Sequence, residues 1–292
     1  MGRHHPPVLS VATRIFCPPE CDGRQRSGHN SVVRTSFELR YQAPYNWAAL
    51  VRFMGPRATP GVEQVTADCY CRTLADGWLE VRPSAGNHHL DVTIEGAASG
   101  LSDRLASFFD VAAPVGEIEK HLKRSKRLAP TVRRESGLRI PGAWDAFELT
   151  VRAVLGQQVT VKGATTLTGR LVERFGPTVA HGKLFPEPAS LAGQDLAAIG
   201  LPRARAAALS CVAEAFASPH PPRTAAELME LRGIGAWTAQ YVAMRAFRDP
   251  DAFPATDLGL IHAAGPDVVR QAEAWRPWRA YAAMHLWLEQ SQ

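Results

Sequence analysis

The alternation that marks β-strands stops at about residue 112 and does not return. Before that point Val33, Thr35, Phe37, Leu39 and Tyr41 fall on one side of an extended chain, and "VTADCYCRTL", "GWLEVRP" and "HLDVTIEG" repeat such runs between turn residues. Two short helices are expected among them. "PYNWAALVRFMG" has Asn46 placed as a cap and Gly55–Pro56 as a stop, and "LSDRLASFFD" carries helical spacing. After residue 112 every patterned segment is helical, from "WDAFELTVRAVLGQQ" to "PWRAYAAMHLWLEQ", with Gly or Pro at the breaks. The spacing therefore predicts an α+β unit of one sheet and two helices over residues 37–112, followed by an all-α unit over 113–292. Residues 1–36, rich in Pro, Arg, Gly and Ser, read as a loose extension.

Charge is concentrated between the two units. "EKHLKRSKRLAPTVRRE" carries seven Lys or Arg against two Glu, an excess as large as the +5 of the whole chain. Such a run is either a solvated face or a strip that meets phosphates. No apolar run has the length of a membrane span, and "MGRHHPPVLS" lacks a signal core, so a cytoplasmic chain without a membrane partner is expected. The five cysteines are an odd number spread over a large chain, which argues against a disulfide scaffold. Cys17 and Cys21 in "FCPPEC" have the spacing to begin a zinc site. The only other close pair, Cys69 and Cys71, lies two apart on a strand, so both face one way. The alternative is a tail plus two small core residues.

The segment "LRGIGAWTA", residues 231–239, places two glycines between two helical stretches. A glycine within a helix costs about 1 kcal/mol relative to alanine. Here Gly233 and Gly235 would instead let the chain reverse tightly and let a second backbone come close. Ile234 between them can pack into the helix pair. The second helix then starts with free N–H groups and the positive end of its dipole, a seat for a phosphate. An ordinary helix–helix turn with glycine caps is the competing reading.

L-x-G-I-G-x-x-T-A resembles the helix-hairpin-helix signature of the DNA base-excision glycosylases. "AFPATDLGL" resembles the loop that delivers their essential aspartate, which makes Asp257 its counterpart. "APYNW", "GVEQVTADCYCRTL", "LRIPGAWDAFELTVRAVLGQQV", "PRARAAAL" and "AEAWRPWRAYAAMHLWL" resemble, in order, the 3-methyladenine DNA glycosylase II (AlkA-type) subfamily. The likeness covers residues 37–292.

That resemblance implies a monomeric enzyme of base excision repair. It would hydrolyse the N-glycosidic bond of alkylated bases such as 3-methyladenine and 7-methylguanine in double-stranded DNA. Asp257 would face the positive charge that develops on the deoxyribose. Its position ahead of "LGLIHAA" also fits a helix cap, and the two roles are compatible. Trp237, Tyr241, Trp278 and Phe53 would line the pocket for an extracted base. Gly233, Ile234, Gly235 and Thr238 would hold the DNA backbone, and Gln158 stands at the position of the wedge that fills the vacated stack. Trp237 occupies the place where lyase members carry a Schiff-base lysine, and a C-terminal four-cysteine cluster is missing, so neither a lyase step nor an iron–sulfur centre is implied. No cofactor is implied for catalysis. A structural Na⁺ or K⁺ is implied on the backbone carbonyls of Met229, Leu231 and Gly233. Thr256 departs from the acidic residue that often precedes the aspartate. Against this stand a non-catalytic DNA-binding module, a methylation-responsive regulator (which needs a complete four-cysteine zinc site in the first 70 residues), and a glycosylase of other base specificity.

Overall fold

A computed structural model describes residues 33–290. Cys17, Cys21 and all but the last four residues of the expected extension lie outside the described residues. Strand β1 (Arg34–Arg40) begins three residues ahead of the expected boundary at 37. With β2 (Glu63–Val65), β3 (Tyr70–Leu74), β4 (Gly77–Pro83) and β5 (His89–Glu95) it forms an antiparallel sheet in the order β1-β5-β4-β3-β2. The run expected as one strand over 65–74 is broken by a turn. Thr66 N–H donates to the Cys69 carbonyl at 2.9 Å, and the Thr66 hydroxyl accepts from Cys69 N–H at 3.1 Å. That local capping by a Thr side chain outcompetes the ladder there.

One face of the sheet buries Tyr70, Leu79, Val81, Leu90, Val92 and Ile94 against α1 (Trp47–Met54) and α2 (Leu101–Phe108). Asn46 caps α1 as its position predicts, accepting from Ala49 N–H at 2.9 Å. The helical part is not purely helical. A hairpin of β6 (Thr178–Val179) and β7 (Gly182–Lys183) lies over the sheet, where the Thr73 hydroxyl donates to the His181 carbonyl at 3.3 Å and Lys183 N–H to Gly61 O at 2.8 Å. Two-residue strands leave no period to read, which is why the sequence gives no sign of them.

Helices α5 (Ala146–Leu155), α6 (Val161–Phe175), α7 (Pro188–Leu191), α8 (Arg203–Ala217) and α10 (Ala236–Arg245) share one core, with Val151, Leu171, Leu209 and Val242 at its centre, while α12 (Val268–Ala272) belongs to the other. The other core combines the sheet with the end of the chain. Leu50, Leu105, Ile118 and Leu122 meet Trp275, Met284 and Leu286 from α13 (Arg279–Glu289) and the turn before it. The chain leaves this core after Ile140 and returns at Ala243, so its last helices close back beside the first sheet. Residues from both ends are thereby brought to one cleft.

The basic run forms α3 (Val115–Leu122) and α4 (Ala129–Arg134) and is only partly solvated. Lys123 pairs with the buried Glu119 at 2.7 Å, and Arg127 reaches Glu289 at 2.7 Å and the Ala263 carbonyl. Lys120, Arg124, Lys126 and Arg133 remain exposed. No helix among the described residues is long and apolar enough to cross a membrane.

His285, on α13, sits within the first core at 2 % exposure. Burial pushes its imidazole down to about 4. The folded chain therefore excludes a proton that the unfolded chain accepts near 6.5. Below that value the unfolded state binds more protons, so stability falls as pH drops from about 6.5 to about 4. We expect a loss on the order of 3 kcal/mol across this window in urea titrations. His285→Leu should flatten the pH dependence; an unchanged slope in that variant would assign it to other groups.

Candidate active site

Asp257 is the N-cap of α11 (Leu258–Ala264), and its Oδ1 accepts from Leu260 N–H at 3.0 Å. Pro254 and Phe253 shape the approach. Asp257 N–H donates to Pro254 O at 2.9 Å, and Gln240 of α10 accepts from Phe253 N–H at 2.9 Å. Two indoles complete the carboxylate's surroundings. Trp237 Nε1 donates to Oδ2 at 2.7 Å and Trp287 Nε1 to Oδ1 at 2.8 Å. Three N–H donors on two oxygens fix the carboxylate in orientation, and the indoles that hold it also present their faces beside it.

Trp237 and Tyr241 are one helical turn apart on α10, and their rings stack at 5.2 Å with 9° between planes. Tyr241 meets Trp287 edge-on at 6.1 Å, and Trp287 lies over Phe53 at 6.2 Å. Phe53 is only 3 % exposed, so it backs the cluster rather than opening onto it. Trp278 is not part of this group. It precedes α13 and packs edge-on against Tyr281 at 6.0 Å. Trp287 lies nine residues further on, at the other end of that helix, about 13 Å along its axis. The C-terminal end of α13 is the one that abuts α11, through Trp287 and through Gln290 Nε2, which donates to Gly259 O at 2.7 Å. The tryptophan of this segment that lies beside Asp257 and Tyr241 is thus Trp287, not the expected Trp278.

Arginines form the floor, and sequence reading missed them. The Arg57 guanidinium lies 4.0 Å over the Phe53 ring and donates to Phe53 O at 2.9 Å. Arg245 is held by the carbonyls of Pro141 and Gly142 at 2.8 and 2.9 Å and donates to the Tyr241 hydroxyl. Burial alone would raise the Tyr241 phenol, but Arg245, Arg57 and Arg152 together hold it below its usual value. Arg152 also fixes the position of Arg57 by donating to its carbonyl. Arg152 itself belongs to a buried ionic group in which Arg72 pairs with Glu63 at 3.4 Å and with Glu148 at 2.5 Å. Desolvation opposes the Glu63 charge, yet Arg152 and Arg72 bring that carboxyl down to about 2. This group ties the sheet to α5 behind the cleft.

The hairpin begins at α9 (Ala225–Met229), which Thr224 and Glu227 close with a reciprocal capping box. The two glycines serve different ends. Gly233 has φ +86°, and a Cβ on it would lie 2.4 Å from Ala208 Cβ on α8. Gly235 is extended, borders open space, and leaves the first N–H groups of α10 without a side-chain cap. We expect Gly233→Ala to destabilise by about 3 kcal/mol, and Gly235→Ala by less than about 1 kcal/mol, in urea melts. Equal effects would refute this division. Ile234 packs into the helix pair at 6 % exposure, as its place between the glycines allows, and Thr238, expected against the DNA backbone, is 2 % exposed; both brace the hairpin from within. Gln157 provides that brace: its amide donates to Gly233 O at 3.0 Å and to the Thr238 hydroxyl at 3.2 Å. Its neighbour Gln158 is exposed at the tip of the turn between α5 and α6, at φ +57°, beside the exposed Val159. Gln157 thereby ties the turn to the hairpin.

Among the described residues the sheet carries one further cluster, Cys69, Cys71 and Glu80, away from this cleft. The cleft itself joins an oriented carboxylate, three aromatic faces and a hairpin with open N–H groups. A carboxylate so placed can stabilise a cation forming beside it, and the aromatic faces can receive a flat ring.

Comparison with known proteins agrees with that chemistry. Residues 36–145 match the AlkA N-terminal domain, and residues 151–267 match the HhH-GPD superfamily base excision DNA repair protein model. The chain is 34% identical over 278 residues to DNA-3-methyladenine glycosylase 2 of Escherichia coli, covering 86% of this chain and 96% of that protein. It is 33% identical over 291 residues to a probable bifunctional transcriptional activator/DNA repair enzyme of Mycobacterium tuberculosis, of which it spans 59%. In fold it is similar to the 3-methyladenine DNA glycosylase of Archaeoglobus fulgidus, at a TM-score of 0.72 and 19% identity over 86% of this chain and 97% of that one. With an AlkA N-terminal domain followed by a helix-hairpin-helix domain, and a whole-length relative at 34% identity, the chain belongs to the AlkA-type 3-methyladenine DNA glycosylases of the HhH-GPD superfamily.

Proposed function

We propose that this chain is a DNA-3-methyladenine glycosylase that excises alkylated bases from double-stranded DNA, acting in the cytosol as a monomer. The observation that carries the reading is the Asp257 carboxylate held by Trp237 and Trp287, two residues whose rings also border the cleft. The hairpin would seat one phosphate on the N–H groups at the start of α10, and Gln158 would enter the stack as the damaged nucleotide leaves it. The base would lie against Trp237, Tyr241 and Trp287. As the glycosidic bond lengthens, positive charge on the sugar is met by Asp257, which also orients the incoming water. Alkylation at a ring nitrogen makes the base a good leaving group, so little protonation is asked of the protein.

Trp237 stands where a lyase would need an amine, so the product is an abasic site with the strand intact. The carbonyls of Leu231 and Gly233 each accept one hydrogen bond, from Ile234 N–H at 3.1 Å and Gln157 at 3.0 Å, and each retains a second lone pair. With Met229 O, hard oxygen donors of this kind suit an Na⁺ or K⁺, which would add positive charge beneath the bound phosphate.

The test is release of free base from methylated duplex DNA, read by chromatography, with strand integrity followed on a gel. Free 3-methyladenine and uncut strands are expected. Tight DNA binding without base release would leave a phosphate-clamp module as the better account.

A further inference from the structure

The outer face of the N-terminal sheet holds a group of side chains that base excision does not use. Cys71 lies in β3 and Cys69 immediately precedes that strand, the two flanking Tyr70, and their thiols lie 3.8 Å apart on the face away from the core side that carries Tyr70. The register sets Glu80 of β4 directly opposite Cys71. The three side chains are only 2 %, 3 % and 9 % exposed, and their donor atoms all lie within 4.8 Å of one another. Small thiols can fill space passively, but a carboxylate at the same spot is a poor choice for that.

Two of the three donor separations match those in a metal's ligand shell. The sulfurs are 3.8 Å apart, and Cys71 Sγ is 3.8 Å from Glu80 Oε2. Tetrahedral bonds of about 2.3 Å to sulfur and 2.1 Å to oxygen place two sulfurs about 3.8 Å apart and a sulfur and an oxygen about 3.6 Å apart. Arg82 supplies the outer contact that ligating carboxylates have, with Nε on Glu80 Oε1 at 2.7 Å and Nη2 on Oε2 at 3.0 Å. Oε1 can keep its bond to Nε while Oε2 turns to an ion.

We propose that Cys69, Cys71 and Glu80 form a binding site for a thiophilic d¹⁰ cation of the zinc class, with a water as the fourth donor. The site pins β3 to β4 just past the Thr66 turn, so its role is to brace the sheet that carries α1 and Phe53. It lies on the face opposite that core and takes no part in the chemistry at Asp257.

The full-length chain, stripped with chelator under reducing conditions, would be titrated with Co²⁺. One equivalent should bring up the sulfur-to-cobalt charge-transfer band and the visible bands of a tetrahedral ion, and one equivalent of Zn²⁺ should abolish both. Cys69→Ser and Cys71→Ser should each lose the charge-transfer band, and Glu80→Gln should weaken Co²⁺ binding while keeping thiolate ligation. Base release by the chelated wild type should be unchanged. The proposal is overturned if wild-type protein shows no cobalt–thiolate band. It is equally overturned if the band survives in the Cys69→Ser/Cys71→Ser chain, which would assign the ion to Cys17, Cys21 or Cys211.

Discussion

Asp257→Asn should bind DNA as the wild type does and release base more slowly by a factor on the order of 10³. The substitution is nearly isosteric, and asparagine caps a helix about as well as aspartate, so α11 keeps its bond from Leu260 N–H. What changes is charge and donor matching. The carboxylate accepts from Trp237 on one oxygen and from Trp287 on the other. A carboxamide offers only one oxygen, so its NH₂ must face an indole N–H and one of the two donors loses its acceptor. The larger loss is electrostatic, because a neutral amide cannot stabilise the cation that forms as the glycosidic bond breaks. Single-turnover release of 3-methyladenine measures the rate, and fluorescence anisotropy measures binding. A mutant rate within about tenfold of wild type would remove Asp257 from the chemistry and leave it as a cap.

How much of this was legible in the sequence depended on how local each feature is. Asn46 and Asp257 are caps, and a cap is decided by the few residues that follow it, so both could be placed from spacing. Trp237 and Tyr241 share a face because they lie four apart on one helix, whatever surrounds that helix. Gly233 likewise announced a reversal. Choosing between Trp278 and Trp287 needs to know which end of α13 meets α11, and that is a tertiary fact with no local trace. Arg57, Arg245 and Gln157 were missed for a related reason. Each is a long polar side chain whose partners come from other elements, and nothing in the neighbouring sequence marks a guanidinium that will end over Phe53. Thr238 is the opposite case: the resemblance implies a contact with the DNA backbone, whereas its side chain is buried and Gln157 gives its hydroxyl a partner inside.

Trp287→Phe tests the placement that sequence reading got wrong. Phenylalanine preserves an aromatic face over Phe53 and beside Tyr241, at the positions now 6.2 and 6.1 Å from the indole. It removes the N–H that donates to Asp257 Oδ1 at 2.8 Å, together with one ring of the indole. A hydrogen bond to a charged group contributes about 1.5–3 kcal/mol, so base release should slow by about 10–100-fold while DNA affinity is retained. Trp237→Phe should cost a similar factor through Oδ2, and the double variant should lose less than the product of the two, because a carboxylate already free to turn has little orientation left to lose. Trp278→Phe, at the far end of α13 against Tyr281, should stay within about twofold of wild type. If Trp278→Phe slows base release as much as Trp287→Phe does, the carboxylate is not oriented by the indole that the geometry assigns to it. The separation of the two variants matters more than either value. Both remove an indole N–H from the same terminal segment of the chain, and only one of those groups is bonded to Asp257.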